Sequence, residues 1–541
     1  MVLVAGACGG DDDDDGGTGG GDPSENGDAG TPVAGGEITY GLEAETASGW
    51  CLPEAQLAIS GIQVARAIYD TLTAPDENGD IKPFLAESVE SNADATEWTI
   101  TLKDGITFHD GTALDATVVK NNLDAYRGQY PGRNPLLFIF TFQDVAAVDV
   151  VDPLTVRVTT TQPWVSFPWF LWGSARVGIM AQSQLDSTSC NDELVGTGPF
   201  MLDSWTVNNA FVAVKNPNYW ATDADGNQLP YLDQITFRPL EDGRARLNSL
   251  EGGELDAMHT SGALQIEEIR TETENGALNN VESDTFGEVG YIMLNSAQAP
   301  FDSLTARQAI AYGIDREQVN AIRANNIPTL AQGPFAPGNV GYLEDAGYPE
   351  YDKARAEELV AQYESEAGES LSFTLTHAGD PETTQTAQLY QQLMGDIGVD
   401  VNLQPIADQS ALIDAAIGGE FQAVTWRNHP GADPDTQYVW WYNQAESPNP
   451  VNFGRFVDPE INRLLDEGRT TLEQEARVSI YEELNERFAE QLWNIWASYT
   501  IWSIASQPNV HGVLGPDLPD GSAPFPGLAT GHPVSGLWVS N

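Results

Sequence analysis

The chain is poor in positive charge. It carries 24 Lys+Arg against 80 Asp+Glu in 541 residues, a formal net charge of -56 at pH 7. A surface of that sign repels phosphate backbones and anionic lipid headgroups, which argues against nucleic acid as a partner. It suits an exported protein in a salty medium, where self-repulsion is screened. Cysteine and histidine are also scarce, at three and six. The histidines are scattered and no CxxC or Cys/His spacing of a zinc site occurs, so no metal or cofactor is expected. Neither G-x-S-x-G nor H-E-x-x-H is present, and no Cys/His pairing marks a nucleophile. No run approaches the ~20 apolar residues that span a bilayer. No internal repeat of period ~20–50 is found.

What is present begins at the N-terminus. Val2-Leu3-Val4-Ala5-Gly6-Ala7-Cys8 resembles the end of a bacterial lipoprotein signal, with residues 1–8 its remnant and Cys8 the lipidated first mature residue. No basic region precedes it, which a start placed too late would explain, and Ala5 stands where Leu is commoner. Residues 9–36, with the run Asp11 to Asp15, are acidic and Gly-rich. They cannot bury enough apolar surface to offset their ordering entropy, and are expected to be a tether. With Cys8 assigned to lipid, Cys51 and Cys190 form an even remainder, which in an exported chain points to one disulfide. The remaining length and the 41% hydrophobic share predict several globular units with large cores.

Periodicity predicts a first strand at 37–41 and a helix over 62–72. A hairpin is predicted from 98–102 to 106–108 around Lys103-Asp104-Gly105, and a second about Asp152-Pro153. Asp115 is read as the cap of a helix carrying Val119, Leu123 and Tyr126. Residues 371–426 read as βαβαβ, hence a parallel sheet. Residues 473–496 read as one long helix, with Tyr481, Leu484, Phe488, Leu492 and Ile495 inward and Trp493 and Trp496 widening the stripe.

The segment Val424-Thr425-Trp426-Arg427-Asn428-His429-Pro430-Gly431-Ala432-Asp433-Pro434-Asp435, followed by Trp440-Trp441-Tyr442, concentrates the residue types the chain otherwise spares. Trp426 ends a predicted strand of an open α/β sheet, and such sheets bind ligands outside the carboxyl ends of their strands. Indole and phenol rings offer flat apolar faces with polar edges. The Arg427 fork suits a carboxylate or phosphate, and its alternative is a structural bridge to Asp433 or Asp435.

Several longer segments resemble the bacterial extracellular solute-binding proteins of ABC importers, in the peptide- and nickel-binding family (family 5). They include Glu97-Trp98-Thr99-Ile100-Thr101-Leu102-Lys103-Asp104-Gly105-Ile106-Thr107-Phe108-His109-Asp110-Gly111 and Val195-Gly196-Thr197-Gly198-Pro199-Phe200. Val214-Lys215-Asn216-Pro217-Asn218-Tyr219-Trp220, Leu229-Pro230-Tyr231-Leu232-Asp233 and Arg307-Gln308-Ala309-Ile310-Ala311-Tyr312-Gly313-Ile314-Asp315-Arg316 extend the match in order. Gly196 and Gly198 are expected to supply backbone angles closed to other residues.

The resemblance implies an α/β, two-lobe periplasmic-binding-protein-like fold (type II, cluster C) with an additional domain inserted in lobe I. Mapped here, lobe I is 37–57, 190–285 and 500–541, the additional α+β domain is 58–189, and lobe II is 286–499. Crossings near 285 and 500 would act as hinges, and Cys51 and Cys190 would both lie near lobe I boundaries. The implied function is a non-catalytic, lipid-tethered monomer, held in the periplasm or at the outer face of the cytoplasmic membrane. It would capture a peptide or similar small organic solute between closing lobes and deliver it to ABC permease subunits. Where the family's peptide binders place a carboxylate for the α-amino group, this chain has His429, so either Asp433 or Asp435 substitutes from a shifted loop or no ammonium group is anchored there, which weighs against a simple di- or oligopeptide ligand. The candidate ligand-binding set is therefore Trp426, Arg427, Asn428, His429, Asp433, Trp440, Trp441 and Tyr442. Trp50, Trp164 and Trp169 are candidates from the facing side. Two other readings stand beside this one: a solute sensor for a membrane receptor, and a secreted hydrolase using a carboxylate pair.

Overall fold

The structure, a computed structural model, describes residues 30–46, 49–55, 57–135, 137–406, 409–428 and 431–540. Cys8, the aspartate run and His429 lie outside them.

Three sheets organise the chain. The largest has seven strands in the order Asn279–Ser283, Trp502–Ser506, Ala257–Thr260, Glu37–Leu42, Gln234–Pro239, Ala210–Lys215, Phe200–Thr206. Its centre is parallel, with Tyr40 opposite both Phe237 and Ala257, and its flanks are antiparallel. The second sheet has five strands in the order Asp400–Ile406, Ser372–Ala378, Ala423–Arg427, Val289–Leu294, Asn494–Tyr499. Ser372–Ala378 is parallel to both of its neighbours, the result of the βαβαβ run. Val289–Leu294 and Asn494–Tyr499 complete the sheet antiparallel. A four-stranded antiparallel sheet comes from Ala86–Ser91, Glu97–Leu102, Thr155–Thr160 and Val145–Asp152.

The chain passes between the two large sheets twice, from Ser283 to Val289 and from Tyr499 to Trp502. These crossings lie side by side, the Thr500 amide donating to the Glu288 carbonyl at 2.9 Å. One continuous apolar cluster joins the seven- and four-stranded sheets, and a separate cluster fills the five-stranded sheet and its helices. Polar contacts cross the seam between these two bodies, among them Gln265 Nε2 to Glu382 Oε1 at 3.0 Å and Asn325 Nδ2 to Glu267 Oε2 at 2.6 Å, beside apolar ones: Ala432 joins the first cluster, and Leu137 and Phe140 pack against the second. The exposed polar contacts exchange with water at small net cost on opening.

Local chemistry accounts for most elements. Asp115 caps the helix Ala116–Tyr126, accepting from the Thr117 and Val118 amides at 2.9 Å each. Val145–Asp152 and Thr155–Thr160 form a hairpin around Pro153. Cys51 and Cys190 are disulfide-bonded, Cα atoms 5.1 Å apart.

Three local expectations fail. The strand Glu97–Leu102 pairs with Ala86–Ser91 and Thr155–Thr160 instead of turning back onto 106–108. Both edges of the strand are thereby occupied by longer partners. The long helix stops at Gln491, because Leu492 takes a left-handed conformation (φ 52°) and its amide closes on the Phe488 carbonyl. Ile495 and Trp496 then belong to the strand Asn494–Tyr499, where β-branched and aromatic residues pack well. Gly196 and Gly198 have no positive φ; a Cβ at either would meet the Ile68 backbone, 2.0 Å from its oxygen and 2.5 Å from its carbonyl carbon. Close approach, and not backbone angle, requires glycine there.

Candidate ligand-binding site

Strand alternation splits the segment that the sequence presents as one cluster. Successive side chains of Ala423–Arg427 point to opposite faces. Trp426, opposite Tyr291, joins an aromatic layer inside the lobe of the five-stranded sheet, its ring edge-on to Phe453 at 5.9 Å. Tyr291, Met293, Trp426, Asn428, Trp440, Trp441, Phe453 and Phe456 line a cavity there of about 20 Å³. That is room for about one water, too little for a solute side chain.

Arg427, opposite Gly290, points the other way, across the seam. Its Nη1 lies 3.1 Å from Ser261 Oγ on the seven-stranded body and 3.3 Å from Glu288 Oε2 at the first crossing. Its guanidinium carbon sits 5.6 Å from the Trp502 ring centroid. Arg427 is still 41% exposed, so solvent reaches it. Glu288 is buried and also accepts from Trp502 Nε1 at 3.2 Å.

Glu43 completes the group. Its Oε1 accepts the Ser261 amide at 2.8 Å, lies 3.4 Å from Ser261 Oγ, and faces buried Arg246 Nη2 at 3.3 Å. His259 Nε2 faces the Glu43 amide and Ser60 Oγ, each at 3.1 Å. Burial pushes the Glu43 carboxyl up, but Arg246, His259, Arg427 and the Ser261 amide outweigh it and hold it below the usual range. At Glu288 burial wins and the carboxyl is raised despite Arg427 and the Trp502 N–H. The Glu288 charge, then Glu43, raises Arg427 against burial. Burial, with Arg246 nearby, lowers His259 to about 4, against the pull of Glu43, so the ring is neutral at pH 7.

The structure places the other expected site residues elsewhere. Trp50 is buried in the core of the seven-stranded body, edge-on to Trp205 and Phe211 at 5.7 and 5.2 Å. Trp164 is buried and donates Nε1 to Asp435 at 2.8 Å; Trp169 is buried edge-on to Trp172 at 5.6 Å. Burying these rings gains more than exposing them to solvent at a cleft. Asp433 is buried and held bidentately by Arg477, at 2.6 and 2.8 Å, so it is no ammonium anchor. Asp435 is taken by Arg469 at 2.9 Å, and neither aspartate bridges to Arg427. Asn428 is buried as a structural amide, its Oδ1 accepting the Val289 N–H at 2.6 Å and its Nδ2 donating to the Pro334 carbonyl at 3.0 Å. Trp441 packs on Phe488 at 4.8 Å, Trp440 on Phe453 at 5.6 Å, and Tyr442 stacks on Tyr438 at 4.8 Å. Of the expected set, Trp164 crosses the seam as a buried structural contact to Asp435, and Arg427 crosses it while still exposed to solvent.

Sequence reasoning missed Glu43, Ser261, Glu288 and Trp502. The rule that singled out the strand ending at Trp426 would have found two of them. Glu43 directly follows Glu37–Leu42, and Ser261 directly follows Ala257–Thr260.

Residues 80–449 match the family described as bacterial extracellular solute-binding proteins, family 5 Middle. The chain is 28% identical over 430 residues to the glutathione-binding protein GsiB of Salmonella paratyphi A, covering 78% of this chain and 81% of that one. Among solved structures it is similar to AgaA from A. tumefaciens R10 in complex with agropinic acid (TM-score 0.80, 24% identity, 94% and 99% of the two chains). It is equally similar in fold to the periplasmic DppA of Helicobacter pylori in complex with the peptide STSA (TM-score 0.81, 20% identity, 94% and 99%). A family match over more than half the chain, the two α/β bodies and the paired crossings agree: the protein belongs to the family 5 bacterial extracellular solute-binding proteins, the extracytoplasmic substrate-binding components of ABC importers.

Proposed function

We propose that this protein captures a peptide or similar small organic solute in the seam between the two large sheets and presents it, unaltered, to its permease. The carrying observation is Arg427, which reaches from the five-stranded lobe to Ser261 while bound to Glu288 at a crossing. A solute touching both bodies there favours closure in proportion to its preference for the closed state. The relatives named above take glutathione, agropinic acid and a peptide, which supports a small, polar, organic cargo. The division into lobe I (37–57, 190–285, 500–541), an additional domain (58–189) and lobe II (286–499) belongs to this reading, as does anchoring through Cys8.

Transport without chemistry is supported by the state of the seam's imidazole. His259 and Ser60 are 3.1 Å apart, but both are buried, and the same His259 nitrogen faces the Glu43 amide. A serine nucleophile needs an accessible hydroxyl and a free base.

The test is native mass spectrometry of freshly purified protein, followed by small-angle scattering with the cargo it releases. The expected result is an intact cargo, a contraction on saturation, and a marked loss of affinity in Arg427→Ala. A chemically altered cargo, or an Arg427→Ala variant that binds like the parent, overturns the proposal.

A further inference from the structure

Resting on the placement of the site at this seam, we infer that the seam reads a compact α-amino-acid head, an ammonium and a carboxylate on one carbon, and not the two separated ends of a peptide.

The argument is one of spacing and charge. Arg427, Ser261 and Glu43 form a chain of contacts at 3.1 and 3.4 Å, and Arg427 stands 3.3 Å from Glu288. One cationic and one anionic anchor, Arg427 and Glu43, therefore meet at a single serine, with Glu288 beside Arg427. Groups of a cargo that engage both signs must be similarly close. In an α-amino acid the nitrogen and carboxylate oxygens are roughly 3 Å apart, whereas the ends of an extended dipeptide are separated by up to about 7 Å.

Charge points the same way. Glu43 pairs with Arg246 and Glu288 with Arg427, with Arg176 also acting on Glu288, so both signs of charge stand at the seam, as a zwitterionic head requires. Every nitrogen of Arg246 is already engaged. It is buried, its Nε donating to the His259 carbonyl, Nη1 to the Leu240 carbonyl, and Nη2 facing Thr260 and Glu43. Among the described residues, the bonds of Arg427 all run through Nη1. Its Nε and Nη2 are left as a fork of the kind that holds a carboxylate bidentately. Among the same residues, Glu43 and Glu288 each use one carboxylate oxygen, Oε1 and Oε2 respectively, leaving the other for an ammonium.

Two isomeric probes separate the readings. γ-Glutamyl-leucine and α-glutamyl-leucine have the same atoms and the same charge, but only the γ isomer carries ammonium and carboxylate on one carbon. Calorimetric titration of the full chain is expected to show the γ isomer bound about tenfold or more tightly. Arg427→Gln should weaken the γ isomer by about tenfold and bring the two isomers within about threefold of each other. Ser261→Ala, which removes one hydroxyl and no charge, should weaken the γ isomer severalfold and leave the α isomer unchanged, with an unaltered melting curve. Equal binding of both isomers, each weakened by Arg427→Gln, overturns the compact-head inference and leaves the seam site standing. Binding of the γ isomer that Arg427→Gln does not alter overturns both. Failure of both isomers to bind overturns the compact-head inference.

Discussion

A buried carboxylate joins the segment around Trp164 to the five-stranded lobe, and removing it has a calculable effect. Asp435 is 0% exposed and accepts from Trp164 Nε1 at 2.8 Å, Ser166 Oγ, and Arg469 Nε at 2.9 Å. Arg469, itself buried, donates on to Asp144 at 2.7 Å and lies over the Tyr438 and Trp164 rings at 3.7 and 4.6 Å. Asp435→Ala strands a buried guanidinium, an indole N–H and a hydroxyl. Breaking a buried ion pair from one side costs about 3–5 kcal/mol, and an unsatisfied buried donor about 1–3 kcal/mol. These terms overlap, and Asp144 still offsets part of the Arg469 charge, so the expected loss is about 3–5 kcal/mol. A chain of several bodies does not unfold in one step, so a local probe is required. The Val165 amide, which donates to the Arg469 carbonyl at 3.1 Å, is that probe. Its hydrogen exchange should accelerate roughly 10²- to 4 × 10³-fold in Asp435→Ala, by the conversion of about 1.4 kcal/mol per decade. The double variant Asp435→Leu/Arg469→Met removes both charges and should lose much less than the sum of the single changes. Acceleration below about threefold in Asp435→Ala would refute the view that this carboxylate holds the contact.

The remaining expectations are more compact. Burial lowers His259 to about 4 and, with Arg66 and His259 nearby, His532 to about 3. The unfolded chain binds protons on these rings below pH ~6.5 while the folded chain does not. Stability is thus fully present above pH ~6.5 and is lost on acidification toward pH 4, on the order of 3 kcal/mol per ring. Asp70, raised to about 6 by burial, slopes the other way, so the measurement is the change in Tm between pH 7 and 4.5 in His532→Gln against the parent, expected to be smaller in the variant. Reducing the Cys51–Cys190 bond, which closes a loop of sequence separation 139, should cost about 5 kcal/mol in the chain-entropy view, read as a drop in denaturant midpoint with dithiothreitol. Trp50→Phe should lower stability by about 1–3 kcal/mol while leaving solute affinity unchanged, since the ring is core; a selective loss of affinity would return Trp50 to the site. The proposed anchoring through Cys8 predicts that, in a host that processes lipoproteins, Cys8→Ser moves the chain from the membrane to the soluble fraction; equal partitioning of parent and variant refutes that anchoring.

Read by itself, the sequence determined what depends on local chemistry and repeated pattern. The Asp115 cap, the hairpin about Pro153 and the βαβαβ core of the five-stranded sheet follow from residue type, spacing and handedness. The family was carried by resemblance, in the segments 97–111, 195–200, 214–220, 229–233 and 307–316. What the sequence could not supply was the direction of side chains and the choice of distant partners. Trp426 and Arg427 are neighbours in the chain, yet a strand sends one inward and the other to the seam. Asp433 and Asp435 stand beside Arg427 in sequence, but arginines 34 and 44 residues away claim them. Glu43, Ser261, Glu288 and Arg427 come from four separate stretches and meet where the carboxyl ends of strands from two sheets face each other beside paired crossings. That convergence is set by packing over hundreds of residues, which no local window contains.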